Sequence, residues 1–177
     1  MERLTSTKSK VFEWAKSGKT STLTAEGKVY ARVTWAKSWG SLATGESADG
    51  EWTLKRVGFL RPRVTVRKKG SQTDLVVISM DWTGGGAVSF SDASSFSFKR
   101  VGFWRPELVL TDPIGSRVFS MSQSSGFGKQ RATLKLESEA ARSSWRTPLL
   151  AIVGWYLAIL ISEYDSTTAV IVSTSGH

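Results

Sequence analysis

Apolar and polar positions alternate over Lys28–Ala36: Val29, Ala31, Val33 and Trp35 fall on one side, and Tyr30, Arg32 and Thr34 on the other. A two-residue period is that of a half-buried strand. Thr20–Thr24 supplies a hairpin partner across Glu26-Gly27, and Val11–Trp14 predicts a strand before it. Ser38–Gly50, made largely of Gly, Ser, Ala and Asp, reads as a loop. Leu75–Met80 is apolar and β-branched, as a well-buried strand requires. Ala87–Phe90, Phe96–Val101, Leu108–Leu110, Arg117–Met121 and Gln130–Leu136 follow, with a turn at Asp112-Pro113-Ile114-Gly115. The β-branched run Thr167–Ser173 predicts a last strand. The pattern therefore predicts about twelve strands at short spacing, which points to a barrel or a sandwich.

One stretch breaks the pattern. Leu149–Ile161 holds thirteen residues without a charge, and Tyr156 carries its only hydroxyl. Thr147 reads as its N-cap and Pro148 suits the first turn, giving a helix over 148–163. A helix apolar on every face has no solvent side and is buried in protein or in lipid. A bilayer span takes ~20 such residues, whereas runs of ~10–14 belong to core helices. The expected architecture is mainly β: a closed antiparallel barrel of about twelve strands around a central hydrophobic C-terminal helix. Each large side chain fully buried is worth ~1.5–3 kcal/mol. A handful of the ten large side chains in the helix therefore matches the ~5–15 kcal/mol net stability of a whole domain. The competing reading makes 148–162 a short C-terminal membrane anchor, with Arg142 and Arg146 on its cytoplasmic side.

The chain also repeats itself. Residues 52–64, WTLKRVGFLRPRV, match residues 96–108, FSFKRVGFWRPEL, at an offset of 44 (96 − 52), with KRVGF and RP identical. Each copy reads strand, bend, strand. Gly58 and Gly102 take the bend, and Pro62 and Pro106 open the second strand or lie at an edge. Such self-similarity marks a duplicated supersecondary unit within what reads as one domain over 1–177.

Set beside these parts, the chain resembles the tubby-like superfamily, which includes tubby C-terminal domains, LURP-one-related proteins and phospholipid scramblases. The resemblance lies in the strand-rich body, the apolar helix at 148–162, and strand-turn units such as Asp112-Pro-Ile-Gly115 followed by Arg117-Val-Phe. It implies a closed barrel threaded by a helix, and a partner that is an anionic phospholipid or membrane surface. It transfers no site residue, because no Lys or Arg here aligns with the family's phosphoinositide ligands and no acidic cluster matches the segment proposed to bind calcium in scramblases.

Charge sharpens this picture. The formal net charge is +9. Residues 1–70 hold fifteen Lys/Arg against six Asp/Glu, and residues 71–177 hold nine against nine. A basic half attracts polyanions. Arg61, Arg63, Arg67, Lys68 and Lys69 form the leading candidate binding surface, where guanidinium groups could fork onto phosphate. Lys55, Arg56, Lys99 and Arg100 form a second, repeat-related group. The plain alternative is a charged, aggregation-blocking face.

Catalytic chemistry finds little footing. The chain has no Cys, and its one His is the terminal His177, so thiolate catalysis is excluded and a His-based triad or metal site is disfavoured. Glu51, Asp74, Asp81, Asp92, Glu107 and Asp112 read as turn and strand-end residues. Gly18-Lys19-Thr20 lacks the upstream Gly of a phosphate-binding loop, since Glu13 holds that position, and Gly84–Gly86 reads as a bend. The expectation is a non-enzymatic binding protein without a cofactor, cytoplasmic and peripheral to a membrane. Nucleic-acid stacking on Trp39, Trp52 or Trp104 is the lesser reading.

Overall fold

A computed structural model describes the chain except Ser38, Trp39, Phe59, Leu60, Arg61, Trp82, Phe127, Gly128 and residues 175–177; within strands and helix, the side chains of 125–126, 129 and 164–174 are also outside the description. Twelve strands form one closed antiparallel barrel: β1 Val11–Ser17, β2 Thr20–Ala25, β3 Lys28–Trp35, β4 Ala43–Ser47, β5 Gly50–Val57, β6 Arg63–Lys68, β7 Val76–Met80, β8 Gly86–Phe90, β9 Ser95–Val101, β10 Glu107–Thr111, β11 Arg117–Gly126 and β12 Lys129–Leu136. Every strand lies beside its sequence neighbours, and β1 closes on β12 from Val11↔Lys135 to Ala15↔Arg131. Closure leaves no long sheet edge to be capped or charged.

The long helix α2, Thr147–Thr174, follows a short helix α1, Glu139–Ser143. From Thr147 to Leu160 every residue of α2 is buried. The barrel wall meets it on several sides. Trp14 of β1 stacks on Trp155 at 5.4 Å, and Trp35 of β3 on Tyr156 at 6.4 Å. The expected arrangement, an apolar helix wrapped by the protein's own strands, is therefore the one found. About 14 residues at 1.5 Å each give roughly 21 Å of enclosed helix.

A meander barrel sorts its connections by parity. Those from odd to even strands lie at one end, and those from even to odd at the other. The helix enters at the second end, here called the base, where Arg146 pairs with Asp92 of the β8–β9 turn at 2.5 Å. It leaves at the first end, the mouth. There Tyr156 donates a hydrogen bond to the Ser41 carbonyl in the β3–β4 connection, and the Gln123 amide donates to the Ala158 carbonyl at 3.2 Å. A 3-10 turn, Leu4–Ser6, packs on both helices at the base and buries Leu4.

Three expectations are corrected. Ala43–Ser47, read as loop, is β4. Its composition is small because the helix passes close: a Cβ on Gly45 would sit 2.5 Å from Ile152 Cγ2. Thr167–Ser173, read as a strand, continues α2. A closed sheet offers no edge for a thirteenth strand, and extending a formed helix needs no new nucleus. The expected count of twelve thus held because these two errors offset. Finally, Thr147 is not the N-cap. The Leu150 amide bonds to the Arg146 carbonyl, and the Thr147 hydroxyl donates instead to the Ala141 carbonyl, tying α2 to α1.

A candidate binding mouth

The basic residues expected to form one surface are spread along a strand. Arg63 opens β6 at the mouth, and Lys68 closes it at the base. Five steps of ~3.3 Å put them roughly 17 Å apart, too far for a single headgroup. Arg67 is held by Asp74 at 2.6 Å and Lys69 by Glu51 at 2.6 Å, so both meet a carboxylate within the chain. Arg61 lies outside the described residues. Its counterpart in the repeat, Arg105, is described and lies exposed at the mouth. In the second group, Lys55 points outward from the wall, opposite Thr65, while Arg56 and Arg100 are the next-to-last residues of their strands, towards the mouth.

Among the described residues, six ion pairs gather at one end of the barrel, and a seventh, Arg32–Glu46 at 3.8 Å, lies on the wall between β3 and β4. Arg3–Asp49, Arg67–Asp74, Lys69–Glu51, Lys135–Glu137, Arg142–Glu139 and Arg146–Asp92 all lie at the base. Among the described side chains at the mouth, Lys19, Lys37, Arg56, Arg63, Arg100, Arg105 and Arg131 stand with the fewer carboxylates Asp81, Glu107 and Glu163. Asp81 is already occupied. It accepts from the Thr83 hydroxyl at 2.7 Å and from the Thr83 and Gly85 amides at 2.9 and 2.8 Å. Those bonds, the Thr83 hydroxyl first, hold its carboxyl below the ordinary value.

Among the described residues, the β9–β10 connection carries two adjacent large aromatics that are almost fully exposed; at the other end Ile114 is equally exposed but stands without an aromatic neighbour. Phe103 is 87% and Trp104 90% exposed, their rings edge to face at 5.3 Å. Gly102 turns the chain there with φ +86°, and a Cβ on it would come 2.8 Å from the Arg105 carbonyl, so the bend belongs to glycine. Arg105 and Pro106 follow directly. By contrast, Trp52 is buried in the wall and offers no stacking face, and Trp39 lies outside the described residues.

Beside that hairpin the wall is incomplete. The β10–β11 ladder begins at Glu107↔Ser122, whereas β11 and β12 remain paired out to Gly126↔Lys129. Gln123–Gly126 therefore has no partner on the β10 side. The gap opens a recess of ≈ 660 Å³ that reaches Ala158, Ile161 and Ser162 on the helix.

Elsewhere the carboxylates serve turns, as expected. Asp92 accepts from the Ser94 amide at 3.0 Å and from its hydroxyl, and Asp112 accepts from the amides of Ile114 and Ser116 at 3.1 and 2.8 Å. Among the described residues no three His, Cys, Asp or Glu side chains gather as metal ligands, and no helix is long and apolar enough to cross a membrane. No protein-family model, curated protein or solved structure matches this chain.

Proposed function

We propose that this protein is a non-catalytic binding barrel that meets an anionic lipid surface end-on, through its mouth. The observation that carries the reading is the Phe103–Trp104 pair, almost fully exposed beside Arg105 at the end where, among the described residues, cations outnumber carboxylates. Aromatic side chains favour the headgroup level of a bilayer, with the ring in the apolar boundary and any polar tip in water. A Lys or Arg near an anionic leaflet adds ~1 kcal/mol. At the base, by contrast, six cations are already met by carboxylates of the chain. A likeness of fold carries no function by itself, so the tubby-like resemblance supports only the architecture of this reading.

Flotation with vesicles tests it. The protein is expected to rise with phosphatidylcholine–phosphatidylserine vesicles at low salt, less at high salt because the charges are screened, and not with phosphatidylcholine alone. Replacing both Phe103→Ser and Trp104→Ser is expected to abolish flotation while leaving the fold unchanged, since neither side chain is packed in the core. A wild-type protein that stays at the bottom of the gradient with anionic vesicles at low salt removes the proposal.

A further inference from the structure

The gap in the wall between β10 and β11 is a second feature of the mouth, with a chemistry of its own. Its floor is apolar: Leu108 and Met121 from the wall, and Ala158 and Ile161 from α2. Ala158 matters here, because a Leu at that position would fill the recess from below. One lip is cationic and aromatic, formed by Arg100, Trp104 and Arg105; the other is the polar β11 edge, Ser122 to Ser124. Glu107 is the one carboxylate among the described lining residues. The volume, ≈ 660 Å³, lies within the ~300–1,000 Å³ of pockets that hold small ligands.

We propose that this recess binds a single-chain anionic amphiphile, with its carboxylate at Arg105 and its hydrocarbon chain laid on Leu108, Met121, Ala158 and Ile161. Chain and head are both needed. A short carboxylate forfeits the floor, at roughly 0.8 kcal/mol for each buried methylene. A cationic amphiphile of equal length keeps the floor but meets Arg105 with like charge. Gln123 helps to fix the geometry, because its amide is tied to the Ala158 carbonyl and holds the β11 edge against the helix. The inference goes beyond the membrane reading, since a monomer in solution suffices and no bilayer is required.

Calorimetric titration of the full chain, with each amphiphile below its micelle concentration, tests it. Decanoate is expected to bind saturably at one site. Butyrate and decyltrimethylammonium are each expected to bind at least tenfold more weakly. Ser124→Trp, an exposed position on the lip, is expected to obstruct the recess and weaken decanoate at least tenfold, with circular dichroism confirming the barrel. Arg105→Gln is expected to narrow the preference for the anionic head. Absent decanoate binding, equal binding of the cationic amphiphile, or wild-type affinity in a folded Ser124→Trp protein each overturns the proposal. The ligand comparison on the wild-type chain decides the matter even if a variant fails to fold. Vesicle flotation in parallel keeps the two readings apart: decanoate binding without flotation removes only the membrane reading, and flotation without decanoate binding removes only this one.

Discussion

Arg146 does three things with one side chain. Its guanidinium pairs with Asp92 at 2.5 Å, and its carbon lies 4.6 Å from the Trp145 ring centre and 5.5 Å from that of Phe90. It thereby fastens the start of α2 to the β8–β9 turn. The Ser94 hydroxyl, and after it Arg146, hold the Asp92 carboxyl down at about 2. A folded value below the unfolded one, ~3.9, means that the stabilisation is present above pH ~4 and is lost as pH falls through about 2. Asp92→Asn is therefore expected to lower the thermal midpoint at pH 7, with the gap to wild type closing as acid protonates the native carboxylate. A gap that persists unchanged at pH 2 would show that the charge was not the cause. The turn role of Asp92 was legible in the sequence, where it stands in a Ser-Asp-Ala-Ser run. Its partner was not, because Arg146 is fifty-four positions away and nothing local links them.

At the level of elements, α2 and the wall approach each other tightly at two glycines, Gly45 of β4 and Gly154 of α2. A Cβ on Gly154 would lie 2.7 Å from Phe119 Cζ and 3.3 Å from Met121 Cε. Alanine there gains ~1 kcal/mol in helix propensity, but overpacking a tight core costs ~1–3 kcal/mol. Gly154→Ala is expected to be net destabilising by urea denaturation, and Phe119→Leu in the same chain to recover part of the loss. A Gly154→Ala protein more stable than wild type would mean that the wall yields. The same closeness explains which elements the sequence concealed. Strands with large alternating side chains, such as β3, announced themselves. β4 did not, because a strand pressed against a helix needs small residues and so loses its hydrophobic signature. The apolar part of α2 was unmistakable, since no strand pattern accounts for thirteen such residues. Its extension to Thr174 was hidden behind β-branched residues that favour strands only where a sheet edge is available.

For the whole molecule, the helix is the core rather than an addition to it. Ile159 is fully buried, so a carboxylate placed there would be cut off from water. An uncompensated buried charge costs several kcal/mol, comparable with a domain's entire ~5–15 kcal/mol. Ile159→Asp is expected to abolish soluble, folded protein, judged by the soluble fraction and by circular dichroism. The candidate site was less legible than the barrel. Runs of Lys and Arg drew attention to β6, but a strand crosses the full height of the wall and separates its own two ends. The informative signal was the parity of the connections. Chain position puts Phe103 and Trp104 in an odd-to-even connection, at the end where the helix leaves the barrel. That regularity emerges only once the strands are counted correctly, and it needs β4.

The wrapped helix also dictates an order of events during synthesis. The staves β1 to β12 leave the ribosome first, yet the residues that fill the space between them, up to Leu160, come last. Domains usually acquire structure as they are made, but here the vessel is complete in sequence before its contents exist. Until the final segment arrives, a long run of inward-facing Trp, Phe and Leu has nothing to close upon. Through that interval the nascent chain holds apolar surface that only the helix, once made, can cover.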